Sequence, residues 1–125
     1  MELSEWLTIY LKHQDLMKKS IKSIEVDGAV VLVEKDAGVD EWLVEEDLEL
    51  HNVDVAGIVT LNKKKNLKTL LSKWDAVIDK NIRIIFANPK TNEKWLVVPN
   101  HHSRVADEKH LKAGLESLFS NISEV

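Results

Sequence analysis

Residues 55–87 read VAGIVTLNKKKNLKTLLSKWDAVIDKNIRIIFA. The first seven, Val55 to Leu61, form a continuous apolar run rich in β-branched side chains, the composition of a strand buried on both faces. Gly57 within the run points to close approach of a helix or another backbone. Lys63, Lys64 and Lys65 end the strand, and Asn66 is a candidate N-cap. Leu67, Leu70, Leu71, Trp74, Val77 and Ile78 then follow at helical spacing. Ile82 to Ala87 is a second apolar strand. Together these make a β-α-β unit, in which a right-handed crossover sets two strands parallel and adjacent.

Upstream, Leu3, Trp6, Leu7, Tyr10, Leu11, Met17 and Ile21 recur at three- and four-residue spacing, which predicts an amphipathic helix opening the chain. Ile24-Glu25-Val26 and Ala29 to Val33 flank Asp27-Gly28, a dipeptide suited to a two-residue hairpin turn. Trp42, Val44, Leu48 and Leu50 alternate with Leu43, Glu45, Asp47 and Glu49, predicting a strand with one wetter face and with Glu46 on its apolar side. Downstream, Asn88-Pro89-Lys90-Thr91-Asn92 is turn chemistry, and Lys94 to Val98 returns antiparallel as far as Pro99. After a polar loop from Asn100 to Arg104, Asp107 is placed to cap a last helix carrying Leu111, Leu115, Leu118, Phe119 and Ile122. The prediction is one α/β domain over residues 1–125, with a mixed five- to six-stranded sheet flanked by three helices in the order α-β-β-β-β-α-β-β-α.

A chain of 125 residues, 44% hydrophobic and 30% charged, has the composition of an ordinary globular protein and buries roughly two-thirds of its unfolded surface. No cysteine is present, so thiol nucleophiles, disulfides and thiolate metal sites are excluded. No stretch reaches the ~20 apolar residues of a membrane span, and Glu2 and Glu5 stand where a signal peptide carries basic residues. A cytoplasmic protein without membrane contact is the expectation. Charge is divided along the chain: residues 1–60 hold five lysines against fourteen acids, whereas residues 61–125 hold ten lysines and two arginines against seven acids. Such asymmetry marks either a polyanion-binding face or a surface that pairs with its own acidic half in an oligomer.

Lys63, Lys64, Lys65 and Lys68 are the candidate polyanion contact, because clustered ammonium groups displace condensed counterions from nucleic acid. Lys73, Arg83, Lys90 and Lys94 are candidates to extend it. His101 and His102, with Ser103 and Arg104, form the densest polar cluster; neighbours in an extended segment point to opposite sides, which favours phosphate contact over a shared metal. Trp6, Trp42, Trp74 and Trp95 each fall within an apolar pattern and read as core anchors. No glycine-rich phosphate loop, Gly-x-Ser-x-Gly elbow, His-Glu-x-x-His motif or dinucleotide fingerprint occurs.

The element order, with Gly57 to Asn62, the Leu/Trp-striped helix, Ile82 to Pro89 and Trp95 to Pro99, resembles the restriction-endonuclease-like superfamily, PD-(D/E)xK, and related archaeal proteins. In that family a strand-borne acid and an acid-x-lysine triplet hold a divalent metal that activates water. The triplet would fall on Thr60-Leu61-Asn62 or one step away, and none of those readings is acid-x-lysine. The resemblance therefore implies a catalytically silent nuclease-like domain serving as a nucleic-acid-binding or complex-assembly subunit, without a cofactor. One alternative is a magnesium-dependent nuclease with a migrated site drawn from Glu46, Asp54 and Lys63, with Glu45, Asp47 and Glu5 as further acids. Another is a homo-oligomeric protein-interaction module that binds no nucleic acid.

Overall fold

The structure, a computed structural model, describes the backbone of residues 1–105 and 108–125 and the side chains of residues 1–102 and 109–125. Asp107, the expected cap, lies outside the described residues. The elements run α1 (Leu3–Gln14), β1 (Ile21–Asp27), β2 (Val30–Lys35), β3 (Gly38–Val44), β4 (Gly57–Leu61), α2 (Lys64–Ser72), α3 (Trp74–Val77), β5 (Arg83–Asn88), β6 (Glu93–Val97), α4 (Pro99–Val105) and α5 (Glu108–Ser120). One six-stranded sheet has the order β1-β2-β3-β4-β5-β6. The β1–β2, β2–β3 and β5–β6 pairs are antiparallel; β3–β4 and β4–β5 are parallel. The mixed α/β sheet is as the residues predict.

Alternation about the sheet splits the core into two layers. Leu3, Trp6, Leu7 and Leu11 of α1 pack on Val31, Val33, Trp42, Val59 and Ile85. On the other face Leu67, Leu70, Trp74 and Val77 join Leu115 and Phe119 over Ile58, Ile84, Phe86 and Trp95. Phe86 and Trp95 stack at 4.2 Å between ring centroids, an aromatic contact that adds to their area burial. β4 is enclosed on both sides, with Ile58, Val59 and Thr60 all fully buried.

Among the described residues there are five helices, not three. The Leu/Trp stripe from Leu67 to Ile78 is unbroken in sequence, but the backbone leaves the helix at Lys73 (φ −107°, ψ 19°) and restarts as α3. The segment after Pro99 is α4 and not a loop: proline's fixed φ suits a first helical turn, where its missing N–H is no loss, and His101 and His102 donate their amides to the Val98 carbonyl. At the other end α1 stops at Gln14, so Met17 (93% exposed) and Ile21 lie beyond it. The alternation to Leu50 also outruns its strand, since β3 ends at Val44. Leu48 and Leu50 are nevertheless buried. Side-chain acceptors replace the ladder here: Glu45 Oε1 accepts from the Glu49 and Leu50 amides, and Asn66 Oδ1 accepts from Leu48 N–H at 2.9 Å.

Asp15, just past α1, ties that helix to β1. Its Oδ1 accepts from the Ser20 hydroxyl and amide, and its Oδ2 accepts from Ile21 N–H at 2.8 Å. The Ser20 hydroxyl first, then the Ile21 amide, hold the carboxyl below its ordinary value of 3.8. Because the folded value is depressed, the contribution is complete above the unfolded value and is lost as pH falls through the folded one. Asp15→Asn is therefore expected to lower the melting temperature at neutral pH, by an amount that shrinks in acid. A gap between the two melts that stays constant below the folded value contradicts this linkage.

Candidate functional site

In open α/β sheets ligands bind at the carboxyl ends of the parallel strands. Here those ends are lined by Thr60, Asn62, Asn66 and Asn88, the buried polar side chains of the described residues. Asn66 is not the N-cap of α2; Lys63 holds that position, and Asn66 sits one turn inside. Its amide Nδ2 lies at 2.8 Å from both the Glu46 and Leu61 carbonyls and 3.0 Å from Thr60 Oγ1. Thr60 Oγ1 in turn donates to the Glu46 carbonyl at 3.3 Å. One asparagine thus fastens the loop after β3 to the end of β4.

Asn62 closes the neighbouring space. Its Oδ1 accepts from Trp95 Nε1 at 2.8 Å, and its Nδ2 faces the Phe119 and Ser123 carbonyls at 3.3 Å. Asn88 Nδ2 donates to the same Ser123 carbonyl at 3.1 Å, while its Oδ1 organises the β5–β6 turn through Lys90 and Thr91 amides. Val125 N–H donates to the Asn62 carbonyl, and Glu124 Oε1 accepts from Lys64 N–H in the first turn of α2. Ser123 N–H is held by Glu93, whose carboxyl is kept below its ordinary range by hydrogen bonds from Thr91 and then Ser123. The crevice at the strand ends is consequently occupied by residues 119–125.

The residues of the migrated metal site do not converge. Asp54 precedes β4 and Lys63 follows it, so the five residues of β4 separate them, about 16 Å at roughly 3.3 Å per residue. Asp54 pairs instead with Lys80 at 3.0 Å. Glu46 is exposed and contributes only its carbonyl, and Glu45 is turned onto its own loop. Among the described residues no three His, Asp or Glu side chains are grouped to hold a metal ion.

The polyanion candidates are also distributed over separate surfaces. Lys64, Lys65 and Lys68 are exposed, but Lys65 pairs with Asp47 at 2.6 Å. That hydrogen bond, with the nearby charges of Lys65 and Lys63, holds the Asp47 carboxyl below its ordinary value. His101 and His102 follow β6, which runs antiparallel to β5, and so lie at the opposite end of the sheet from Lys63; Asn100 N–H donates to the Lys80 carbonyl there. His102 Nδ1 stays on its own helix turn, 3.1 Å from the Val98 carbonyl. Arg104's side chain lies outside the described residues. Of the extension candidates, Arg83 lies over the Trp42 ring, Lys94 over Tyr10, and Lys73 Nζ donates to the Glu49 carbonyl.

An open concavity lies elsewhere. A groove of about 1540 Å³ runs between α2–α3 and α5. Its floor is Leu67, Leu71, Trp74, Ile78, Leu111 and Phe119; Lys64, Lys68, Lys109 and Lys112 border it, with Asp75 and Glu116. Trp74 Nε1 is buried without a hydrogen-bond partner among the described residues. Sequence reading misses this site because the two lysine pairs lie on helices more than forty residues apart, and only their packing brings the pairs together.

No family model matches the chain, nor does any curated protein or solved structure. Among the described residues no helix is long and apolar enough to cross a membrane.

Proposed function

We propose that this chain is a non-catalytic complex-assembly domain whose contact surface is the groove between α2–α3 and α5. One contrast carries the reading: the strand ends, where an α/β enzyme holds its substrate, are filled by neutral amides and by residues 119–125, while the open concavity has an apolar floor. An apolar trough with cationic borders suits a protein surface of apolar centre and acidic rim. A phosphate backbone would leave the floor unmatched. The restriction-endonuclease-like ancestry remains part of the proposal, supported by the mixed sheet and the β4-α2-β5 crossover, with Thr60 and Asn62 in place of the metal-binding carboxylates.

Titration of labelled DNA and RNA with the wild type and with a Lys64→Ala, Lys68→Ala, Lys109→Ala, Lys112→Ala variant tests this reading. We expect affinities no tighter than the ~10⁻⁴–10⁻⁶ M of non-specific contact at physiological salt, and a protein partner retained in stoichiometric amount by the wild type alone. Tight, salt-steep binding of nucleic acid that flattens in the variant moves the function to nucleic acid. Cleavage in magnesium or manganese returns it to the nuclease class.

A further inference from the structure

The acidic half of the chain has its own unpartnered surface. In the β1–β2–β3 meander one face carries Val31, Val33 and Trp42 into the α1 layer. By the pairing register the opposite face carries Glu25, Asp27, Glu34 and Glu41 around Leu32 and Val39. Ser23 Oγ donates to Glu34 Oε2 across it, as expected of same-face neighbours. These acids are exposed except for a half-buried Glu41, Val39 is 62% exposed, and α2, α3 and α5 pack over the β4–β6 end of the sheet instead. The molecule thus presents four carboxylates around an apolar centre on one surface and, on another, four ammonium groups against two carboxylates, Asp75 and Glu116, around an apolar floor.

We propose that the groove of one copy receives the acidic β1–β3 face of a second copy, a head-to-tail contact. The inference rests on reading the domain as an assembly module and names its partner. Symmetric pairing is opposed at either surface, because groove on groove sets lysines against lysines and sheet on sheet sets carboxylates against carboxylates. Head-to-tail pairing matches charge and apolar centre together. It also gives a role to the opposite charge of the two halves, of which the Lys65–Asp47 and Lys80–Asp54 pairs neutralise only a part among the described residues. A contact between unlike surfaces propagates, closing into a ring or extending as a filament, and its charged rim makes it sensitive to salt.

Light scattering of the full chain tests the contact. At about 100 µM, enough to populate a micromolar contact, the wild type is expected to exceed twice the monomer mass and to return to monomer near 0.5 M salt, where screening shortens to roughly 4 Å. Lys68→Glu with Lys112→Glu, and separately Glu25→Lys with Glu34→Lys, should each be monomeric, and mixing the two should restore assembly. Reversal of Lys12 and Lys18, exposed on and just past α1, should leave assembly unchanged. The proposal is overturned by a monomeric wild type, by either reversed pair still assembling, by a mixture that stays monomeric, or by equal loss in the Lys12, Lys18 control. If the wild type is monomeric yet retains a stoichiometric acidic protein through Lys68 and Lys112, only the second copy as occupant is lost. If it retains nothing, the assembly reading falls with it.

Discussion

Asn66→Leu is expected to destabilise the domain by about 3 kcal/mol, a loss set by the backbone groups the substitution leaves short of partners. Asn66 is 1% and Leu48 5% exposed, and their hydrogen bond is buried, so the Leu48 amide cannot turn to water. With the amide removed, Leu48 N–H loses the partner described above, while the Leu61 carbonyl keeps the Lys63 N–H at 2.8 Å and the Glu46 carbonyl keeps only the longer contact from Thr60 Oγ1. A buried N–H left unsatisfied costs about 1–3 kcal/mol and the two carbonyls reduced in contacts add less, and for a domain of this size the sum lowers the melting temperature by roughly 10 °C. Asn66→Asp separates shape from hydrogen bonding. The carboxylate preserves the outline but turns an anion toward the Glu46 and Leu61 carbonyls. Burial and those carbonyls raise its folded pKa, so stability should be regained as pH falls and the carboxyl acquires a proton to donate. Melting of Asn66→Leu within 2–3 °C of wild type, under roughly 1 kcal/mol, rejects the hub.

The same residue shows what a sequence can and cannot convey. An asparagine after three lysines and before a leucine stripe has the local signature of a helix cap, and its local neighbours contain nothing to contradict that. Its true partners are two carbonyls, an amide and a hydroxyl, up to 20 residues away, and backbone groups leave no mark on side-chain pattern. β4 and β5 are legible because burial on both faces demands an uninterrupted apolar, β-branched run. Leu48 and Leu50 mislead for a related reason. Alternation records which residues are buried, not what their amides bond, so a loop folded back by Glu45 and Asn66 imitates a strand.

Helix number fails on similar grounds. The stripe from Leu67 to Ile78 keeps its period through Lys73 because both α2 and α3 must bury apolar residues on the same sheet face; the break changes direction without changing composition. The candidate sites follow the same division. Thr60-Leu61-Asn62 is recognisable as neutral where carboxylates would be needed for metal, but the segment that fills the crevice lies about sixty residues away in sequence. The lysine turn is visible as a cluster, whereas its division between an Asp47 pair and the groove border depends on how α2 packs against the loop and against α5.

Gly57→Ala should cost about 3 kcal/mol, although glycine to alanine in a strand ordinarily stabilises by about 0.5–1 kcal/mol. The reversal comes from one ring. Trp42, Gly57 and Arg83 are register neighbours on β3, β4 and β5; the indole lies across Gly57, and the Arg83 guanidinium stands over it at 5.1 Å from the centroid. A Cβ on residue 57 would fall 2.5 Å from Trp42 Cη2 and 2.6 Å from Cε3, closer than carbon atoms approach. Trp42 is 1% exposed and enclosed by the α1 layer, so the ring has nowhere to swing, and overpacking of this kind costs about 1–3 kcal/mol or more. Trp42→Leu alone should cost about 3 kcal/mol through the cavity it leaves. Combined, the two changes should cost about 2 kcal/mol less than their sum, since the smaller side chain vacates the space the new methyl needs. Additivity to within about 0.5 kcal/mol in urea or thermal unfolding means that the indole is not what forbids a side chain at residue 57. The close approach that a lone glycine signals inside an apolar strand would then have another cause.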